Sequence, residues 1–440
     1  MSGLERRQTP KTRPMPQKRT ALVASLDIGT SKVACMIARL KPCPPSDALR
    51  GRSHAVELIG YSQIQSRGMK AGAVVDLAEC EQAVRQAVAL AERMAKVRVE
   101  SVLLSVSGGR LQGALVEAAA DIKGGAVTAA DVTRVTSTGM RHATGDGRTV
   151  LHALPVGYAL DGVKGIRDPR GMVARQFGVD MNVVTSDATV ARNLMLVVER
   201  CHLDVEAMAS GPYVAGLSVL TDDEADIGAA VIEMGAGTTT MAIYSGGRFV
   251  HASGFALGGQ HITMDLARGL GACIADAERI KTLYGTVLTG GSDARELMSV
   301  PSAGDDRETP QVVSRATIAN IVRHRAEEIF EMVRDRLADS PFAAEPRARV
   351  VLSGGASQLT GIPDLASQIL SRPVRIGRPL GFGRLPNEAK SASFAVPSGL
   401  LVYPQYAHLE HVEPRHTRQL LRTGTDGYFG KVGRWLREGF

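Results

Sequence analysis

No uninterrupted apolar run approaches the ~18 residues of a membrane-spanning helix, and no basic segment leads into an apolar signal-peptide core near residue 1. These two absences predict a chain that stays in the cytosol. Five cysteines occur, Cys35, Cys43, Cys80, Cys201 and Cys273, and none forms a C-x-x-C pair or joins histidines at zinc spacing. They read as free thiols of a reducing compartment, and with no H-E-x-x-H pattern a structural metal site is not expected. Also missing are G-x-x-x-x-G-K-[ST] and a G-x-G-x-x-G following a strand, so neither a P-loop nor a Rossmann site accounts for the glycines described below. Charge of one sign is missing from the body. Residues 1–20 hold six Lys/Arg and one Glu, residues 404–440 hold six Lys/Arg and four Asp/Glu, and the remaining bases and acids balance. A neutral body with basic ends argues against a nucleic-acid-binding core and for tails that meet an anionic surface, or that are merely solvated.

What is present fits a globular protein. Charged residues are 22% and hydrophobic residues 44% of 440, which excludes wholesale disorder and collagen-like repeats. At roughly 100–200 residues per domain, two to four domains are expected. Residues 1–19 carry Pro10, Pro14 and Pro16 among bases and are expected to be disordered. Strands are predicted at 21–26, 33–40 and 56–61, and a helix at 77–96. From Val99 the texture shifts to Gly, Val and short strands, with a helix near 129–142, which predicts an inserted α+β unit over 98–178. A helix over 188–201 follows.

Two stretches share one logic of apolar strand, acid, glycine, hydroxyls and apolar strand. The first turn is Asp27-Ile28-Gly29-Thr30-Ser31-Lys32; the second runs Glu233-Met234-Gly235-Ala236-Gly237-Thr238-Thr239-Thr240. An internal duplication forming a two-lobed clamp is predicted. Glycine allows close backbone approach to a ligand, successive amides form an anion-binding concavity, the hydroxyls donate, and Lys32 adds a cation. Asp27 at a strand end can hold Mg²⁺ directly or through its waters. Either turn alone is also an ordinary hairpin. Gly258-Gly259 precede a helix near Ile262, and Gly354-Gly355 end a strand at 350–353, so a flat purine and ribose could lie on these backbones. Glu278 and Lys281 are i,i+3 neighbours on one helix face, poised for ribose and base edges or forming a surface ion pair.

The most distinctive tail feature is Tyr428–Phe440. Phe429, Val432, Trp435, Leu436 and Phe440 recur on one helical face, flanked by Lys431, Arg434 and Arg437, and Trp435 is the chain's single Trp. Such a helix would span about 20 Å, too short to cross a bilayer and suited to lying in its interface. Docking on the protein's own body is the alternative. Residues 404–427, polar with Pro404 and Pro414, read as a tether.

The first turn resembles the first phosphate motif of the superfamily of actin, heat-shock chaperones and sugar kinases. Glu233–Thr240 resembles its second phosphate motif, and Val351-Leu352-Ser353-Gly354-Gly355-Ala356-Ser357 its adenosine motif. More narrowly the chain resembles the bacterial FtsA family of actin-like cell-division proteins, through Arg67-Gly68-Met69-Lys70-Ala71-Gly72, Val150–Pro155, Val198–Cys201 and the tail, over about 21–440.

The resemblance implies an α/β, two-lobed actin-like ATPase fold with an FtsA-type inserted α+β subdomain and a C-terminal amphipathic helix. It divides the chain into a disordered basic tail at 1–20, subdomain 1A at 21–97 and 179–203, and the inserted 1C at 98–178. Subdomain 2A then covers 204–253 and 321–403, 2B covers 254–320, a flexible linker 404–427 and a membrane-targeting helix 428–440. It implies ATP and Mg²⁺ between the lobes, with Gln358 added to the nucleotide-binding residues named above and Asp27 and Glu233 holding the metal through water. It also implies head-to-tail polymers on the cytoplasmic face of the inner membrane at the division site. The FtsZ C-terminal peptide would bind at 2B, with Arg268, Lys281 and Arg315 as candidates, other division proteins at 1C, and no nucleic acid.

Two departures stand out. Glu233 and Ala236 replace the family's usual Asp and Gly, and Gly211 falls where hydrolysing relatives carry the residue that orients the attacking water. Without a positioned base a factor of roughly 10²–10⁴ is forfeited, so turnover is expected to be slow or negligible. Two other readings of the same fold are a small-molecule kinase or phosphatase and a pilus-assembly actin homologue.

Overall fold

The computed structural model describes residues 8–412 apart from 13–14, 17, 45–48, 50, 124, 289, 291–295, 302–310, 345–347 and 384. The amphipathic helix expected at 428–440 lies outside the described residues.

The first lobe starts as an antiparallel meander of β1 (Ala21–Ile28), β2 (Lys32–Pro42) and β3 (His54–Gln65). Val33 to Ala38 are buried without interruption because helices cover both faces of the sheet. After a short hairpin, β4 (Met69–Lys70) and β5 (Ala73–Val74), comes α1 (Leu77–Ala95). Its Asp76 cap accepts from the amides of Ala78 and Glu79 at 3.0 Å. A stripe of Cys80, Ala83, Val84, Ala87, Val88 and Ala91 lies against the sheet at helical spacing. Strand β6 (Ser101–Val106) pairs in parallel with β1.

The chain then leaves for the insert: β7 (Gln112–Asp121), α2 (Ala129–Ala143), β8 (Arg148–Leu160), β9 (Val163–Ile166) and β10 (Gln176–Asp187). Val135 and Met140 of α2 pack on Phe177, Val179 and Met181, a core of its own. The helix α3 (Ala188–Arg200) returns the chain to β11 (Asp204–Ser210) beside β6. The insert expected from 98 therefore gains its first strand only at Gln112. Residues 101–106 read as insert because they are rich in Val and Ser, yet they pair inside the first lobe's sheet.

The buried α4 (Gly211–Val219) crosses to the second lobe, followed by α5 (Asp222–Ile227). That lobe repeats the meander as β12 (Ala229–Met234), β13 (Thr239–Ser245) and β14 (Arg248–Phe255). Next come α6 (Gly259–Gly269), α7 (Ile274–Tyr284), a hairpin of β15 (Leu297–Val300) and β16 (Gln311–Ser314), and α8 (Arg315–Ala338). The lobe closes with β17 (Arg349–Ser353), α9 (Ile362–Leu370) and β18 (Val374–Ile376), and α10 (Ala395–Val402) recrosses to the first lobe.

The duplication is complete at the level of topology. The first sheet runs β11-β6-β1-β2-β3 and the second runs β18-β17-β12-β13-β14, with the same parallel and antiparallel pairs. Through β14 and β7 the insert's strands extend the second sheet to nine. Ala229, Val231, Ala242 and Tyr244 join the first lobe's core, while Ala230, Ile232, Met241 and Ile243 join the second. That is the two-residue alternation of a sheet packed on both faces.

At both ends of the described residues the structure departs from expectation. Instead of lying free, residues 8–12 run along strand edges: the Thr9 amide donates to Val150 O at 3.0 Å and the Met208 amide to Pro10 O at 3.1 Å. Backbone hydrogen bonds hold them, so the lack of apolar residues was no guide. Residues 404–412, expected as tether, stay docked: Gln405, Ala407 and Glu410 are buried, and Gln405 accepts from the amides of Ser53 and His54 at 2.8 and 2.9 Å.

The two crossing helices touch where Gly399 of α10 meets α4. A Cβ there would sit 1.7 Å from Val214 O. Gly399→Ala is therefore expected to lower stability by about 1–3 kcal/mol or more in denaturant unfolding. Gly157→Ala, with nothing within 4 Å of its added methyl, should stay within about 0.5 kcal/mol of the parent.

Candidate functional site

The lobes enclose one cavity of about 1060 Å³. Its floor is the two duplicated turns. In the first, Gly29 N–H donates to Lys32 O at 2.9 Å; in the second, Gly235 N–H donates to Thr238 O at 2.9 Å. At both glycines an added Cβ would lie 3.0 Å from that same carbonyl, so the turns match in local geometry as well as order. They also touch: a Cβ on Gly237 would fall 2.5 Å from Thr30 Oγ1. Thr30 Oγ1 in turn accepts from the Gly72 amide at 3.1 Å.

Of the sequence-expected residues, Asp27, Gly29, Thr30, Ser31, Lys32, Glu233, Gly235, Ala236, Gly237 and Thr238 line this cavity, as do Gly259, Glu278, Lys281, Gly354, Gly355 and Gln358. Two do not. Thr239 is the first residue of β13 and its buried hydroxyl donates to Leu257 O at 2.8 Å. Gly258 caps α6, packed where an added Cβ would meet Gly235 O at 2.5 Å. The first amides of α6 are also committed, Gly259 to Gly235 O and Gln260 to Ala236 O, so they brace the second turn.

Gly354 and Gly355 differ in role. Gly354 has a φ of +85° and its added Cβ would strike Met234 O at 2.4 Å, whereas nothing lies within 4 Å of Gly355. One glycine allows the chain to turn against β12; the other leaves room in the cavity. Opposite them, Lys281 Nζ donates to Gly259 O at 3.1 Å, Thr263 Oγ1 at 2.8 Å and Glu278 Oε2 at 2.7 Å. The Glu278–Lys281 pair thus belongs to the cavity wall. Of the other two candidates for an acidic peptide, Arg268 is exposed near the end of α6 and Arg315 pairs with Glu296 at 2.9 Å.

Several lining groups escaped the sequence reading. Ser105 and Ser107 sit at the carboxyl end of β6, and Ser105 Oγ donates to Asp27 Oδ1 at 2.5 Å. The usable signal was a parallel strand end beside a glycine pair, the usual location of ligand sites in α/β sheets. Gln63, Gln65, Ser66, Gln260, Thr263 and Ser393 also line the space and have no motif. Lys32 Nζ donates to Ser393 O and lies 4.6 Å from the Phe394 ring centroid, so this cation ties the first turn to the approach of α10.

Burial pushes the Asp27 carboxyl up, against the Ser105 hydrogen bond and nearby Lys32, and pushes the Lys32 ammonium down. Burial, then the neighbouring Asp27, pushes Glu233 up to about 7. Two buried carboxylates that resist ionising together suit a divalent cation, which would remove their penalty. Among the described residues no group of three or more His, Cys, Asp or Glu could hold a metal. A Mg²⁺ here would therefore take the rest of its shell from water and ligand oxygens, as that ion usually does. Gly211 opens α4, and a Cβ there would fall 2.1 Å from Ser107 Oγ; no side chain fits at that position without displacing the serine.

The sign of the Glu233 effect is testable. Its folded carboxyl is raised, so it stabilises the fold by holding a proton below pH 7 and loses that contribution as pH rises through about 7. In metal-free buffer, Glu233→Gln should gain in melting temperature relative to the parent between pH 6 and pH 8. A constant difference across that range would show that Glu233 does not titrate there.

Comparison with known proteins gives a consistent result. The family profile described as "Cell division protein FtsA" matches residues 230–399, and that described as "SHS2 domain inserted in FTSA" matches residues 108–185. A cell division protein FtsA from Agrobacterium fabrum is 46% identical, covering 98% of this chain and 98% of its own. The FtsA proteins of Neisseria meningitidis and Escherichia coli strain K12 are 32% and 31% identical, each over 95% of this chain and 98% of their own. Among solved structures, one of the PilM-PilN type IV pilus biogenesis complex superposes with a TM-score of 0.60 at 15% identity, over 87% of this chain and 98% of that one. MreB5 of Spiroplasma citri bound to ADP gives 0.52 at 15% identity, over 88% and 97%. At such identity these structures establish the actin-like fold alone.

Proposed function

This chain belongs to the FtsA family of cell-division proteins, and from that premise we propose that it binds ATP with Mg²⁺ between its lobes and works at the division site as a membrane-tethered scaffold. It is an actin-like protein with an FtsA-type insert. The observation that carries the nucleotide reading is the contact of two turns with one hydrogen-bond closure, at Thr30 and Gly237. Amides and hydroxyls from both turns would hold the phosphates, and Asp27 and Glu233 would hold the metal through its waters. Gly354, Gly355 and Gln358 would face the adenosine, with Glu278 and Lys281 near the ribose. A Mg²⁺ held there would supply positive charge to offset that of the phosphates.

Gly211 carries no side chain to orient a water, so turnover would be slow and the nucleotide would act chiefly as a conformational switch. That separates the chain from a kinase or phosphatase of the same fold.

Among the described residues no helix is long and apolar enough to cross a membrane. The proposed attachment is the amphipathic stretch of Phe429, Val432, Trp435, Leu436 and Phe440 with Lys431, Arg434 and Arg437, lying on the anionic cytoplasmic face. One short anchor binds weakly, so head-to-tail assembly would supply avidity. The unit spanning 254–320 would receive the FtsZ tail peptide, and the insert other division proteins.

Co-sedimentation with anionic vesicles in the presence of ATP tests this. The parent should pellet and Trp435→Glu should lose most of its pelleting, by about tenfold or more in partitioning. If the parent fails to pellet while binding ATP, the helix serves a protein partner instead.

A further inference from the structure

The two ends of the described chain meet inside the molecule around one ion pair. Lys11 Nζ lies 2.7 Å from Glu410 Oε2, with side chains 4% and 1% exposed. The other Glu410 oxygen receives His152 Nδ1 at 2.8 Å, and His152 Nε2 accepts the Ser210 amide at 2.8 Å. The imidazole is thereby fixed with its proton on Nδ1. Burial would push Glu410 up, but Lys11 and His152 hold it at about 2, while burial and Lys11 push His152 down to about 4. Burial pushes the Lys11 ammonium down while Glu410 raises it, and the His152 ring is neutral near pH 7. Lys11 also donates to Leu151 O, Met208 O and the Tyr403 hydroxyl.

Backbone contacts hold both segments to the same place. Residues 9 and 10 bridge β8 and the edge of β11, and the His411 amide donates to Ala153 O at 2.8 Å. The His411 ring meets Thr136 and Ser137 of α2 at 2.9 and 3.0 Å, and Gln8 Nε2 donates to His411 O at 3.0 Å. Residues 411 and 412, the last described, thus lie against the insert, beside the N-terminal segment.

A buried ion pair adds little stability over an apolar pair, but removing one partner strands the other charge in the interior. Without Lys11, Glu410 would have to take up a proton, draw one onto His152, or reach water through movement of residues 403–412, and each outcome weakens what holds that segment in place. We propose that residues 8–12 are a latch that fixes the root of the C-terminal tail to the insert and to β11. The latch fixes the place on the body from which the tail starts. Its bearing on attachment rests on the tail being a membrane tether; the latch itself does not.

Hydrogen exchange on the full chain tests it. In Lys11→Met, amides of 403–412 should exchange at least about tenfold faster while α1 and β12 stay protected. Adding Glu410→Gln to Lys11→Met removes the stranded charge and should return most of the protection. Unchanged exchange in the single variant, or a double variant as loose as the single, would overturn the latch. Should Lys11→Met not fold, a chain lacking residues 1–12 supplies the same readout, with the same acceleration expected and normal protection overturning the proposal. Vesicle pelleting of Lys11→Met should match the parent, whose own failure to pellet would refute the tether and leave the exchange result standing.

Discussion

Everything at the site depends on one steric fact: two duplicated hairpin turns are pressed together with no room for a side chain between them. Gly237 stands where any larger residue would strike Thr30, and the Ala71 backbone stands close behind. The contact exists because each lobe is built on the same five-strand order, with the turn following its first strand. Packing the two sheets about α4 and α10 brings equivalent turns face to face. Because the two turns belong to different lobes, a ligand spanning both would bind differently if the lobes shifted.

The charges follow from that geometry. Asp27 and Glu233 end equivalent strands, so duplication alone places two carboxylates at one cleft. Burial then makes both reluctant to ionise. Lys32 offsets them only in part, and its ammonium also reaches Ser393 O and the Phe394 ring. The same lysine joins the first turn to the segment leading into α10. That helix carries the chain from the cleft to Tyr403 and on to Glu410, so the site and the root of the tail are joined by one short, buried run.

Much of this was legible in the sequence because its signals are local. Strand, acid, glycine and hydroxyl in order are enough to recognise each turn, and the repeat of that order exposes the duplication. The spacing of Cys80, Val84, Ala87 and Ala91 marks α1. What escaped depends on distant partners. Ser105 reads as an ordinary strand residue until β6 lies beside β1. Thr239 and Gly258 belong to glycine- and hydroxyl-rich stretches but are one residue out of phase with the cavity. Lys11 and Glu410 read as solvated tail charges, since nothing local shows that 399 positions along the chain a partner waits in the same interior pocket. The edge of β6 was misassigned because composition changes at Val99, before the chain leaves its sheet.

The central claim is that the paired turns hold a metal-bound triphosphate. Equilibrium titration of the full chain with ATP, in Mg²⁺ and in EDTA, tests it most directly. The account predicts one saturable site whose affinity falls by about tenfold or more when the cation is removed. Absence of saturable binding at millimolar ATP, or an affinity indifferent to EDTA, would contradict it.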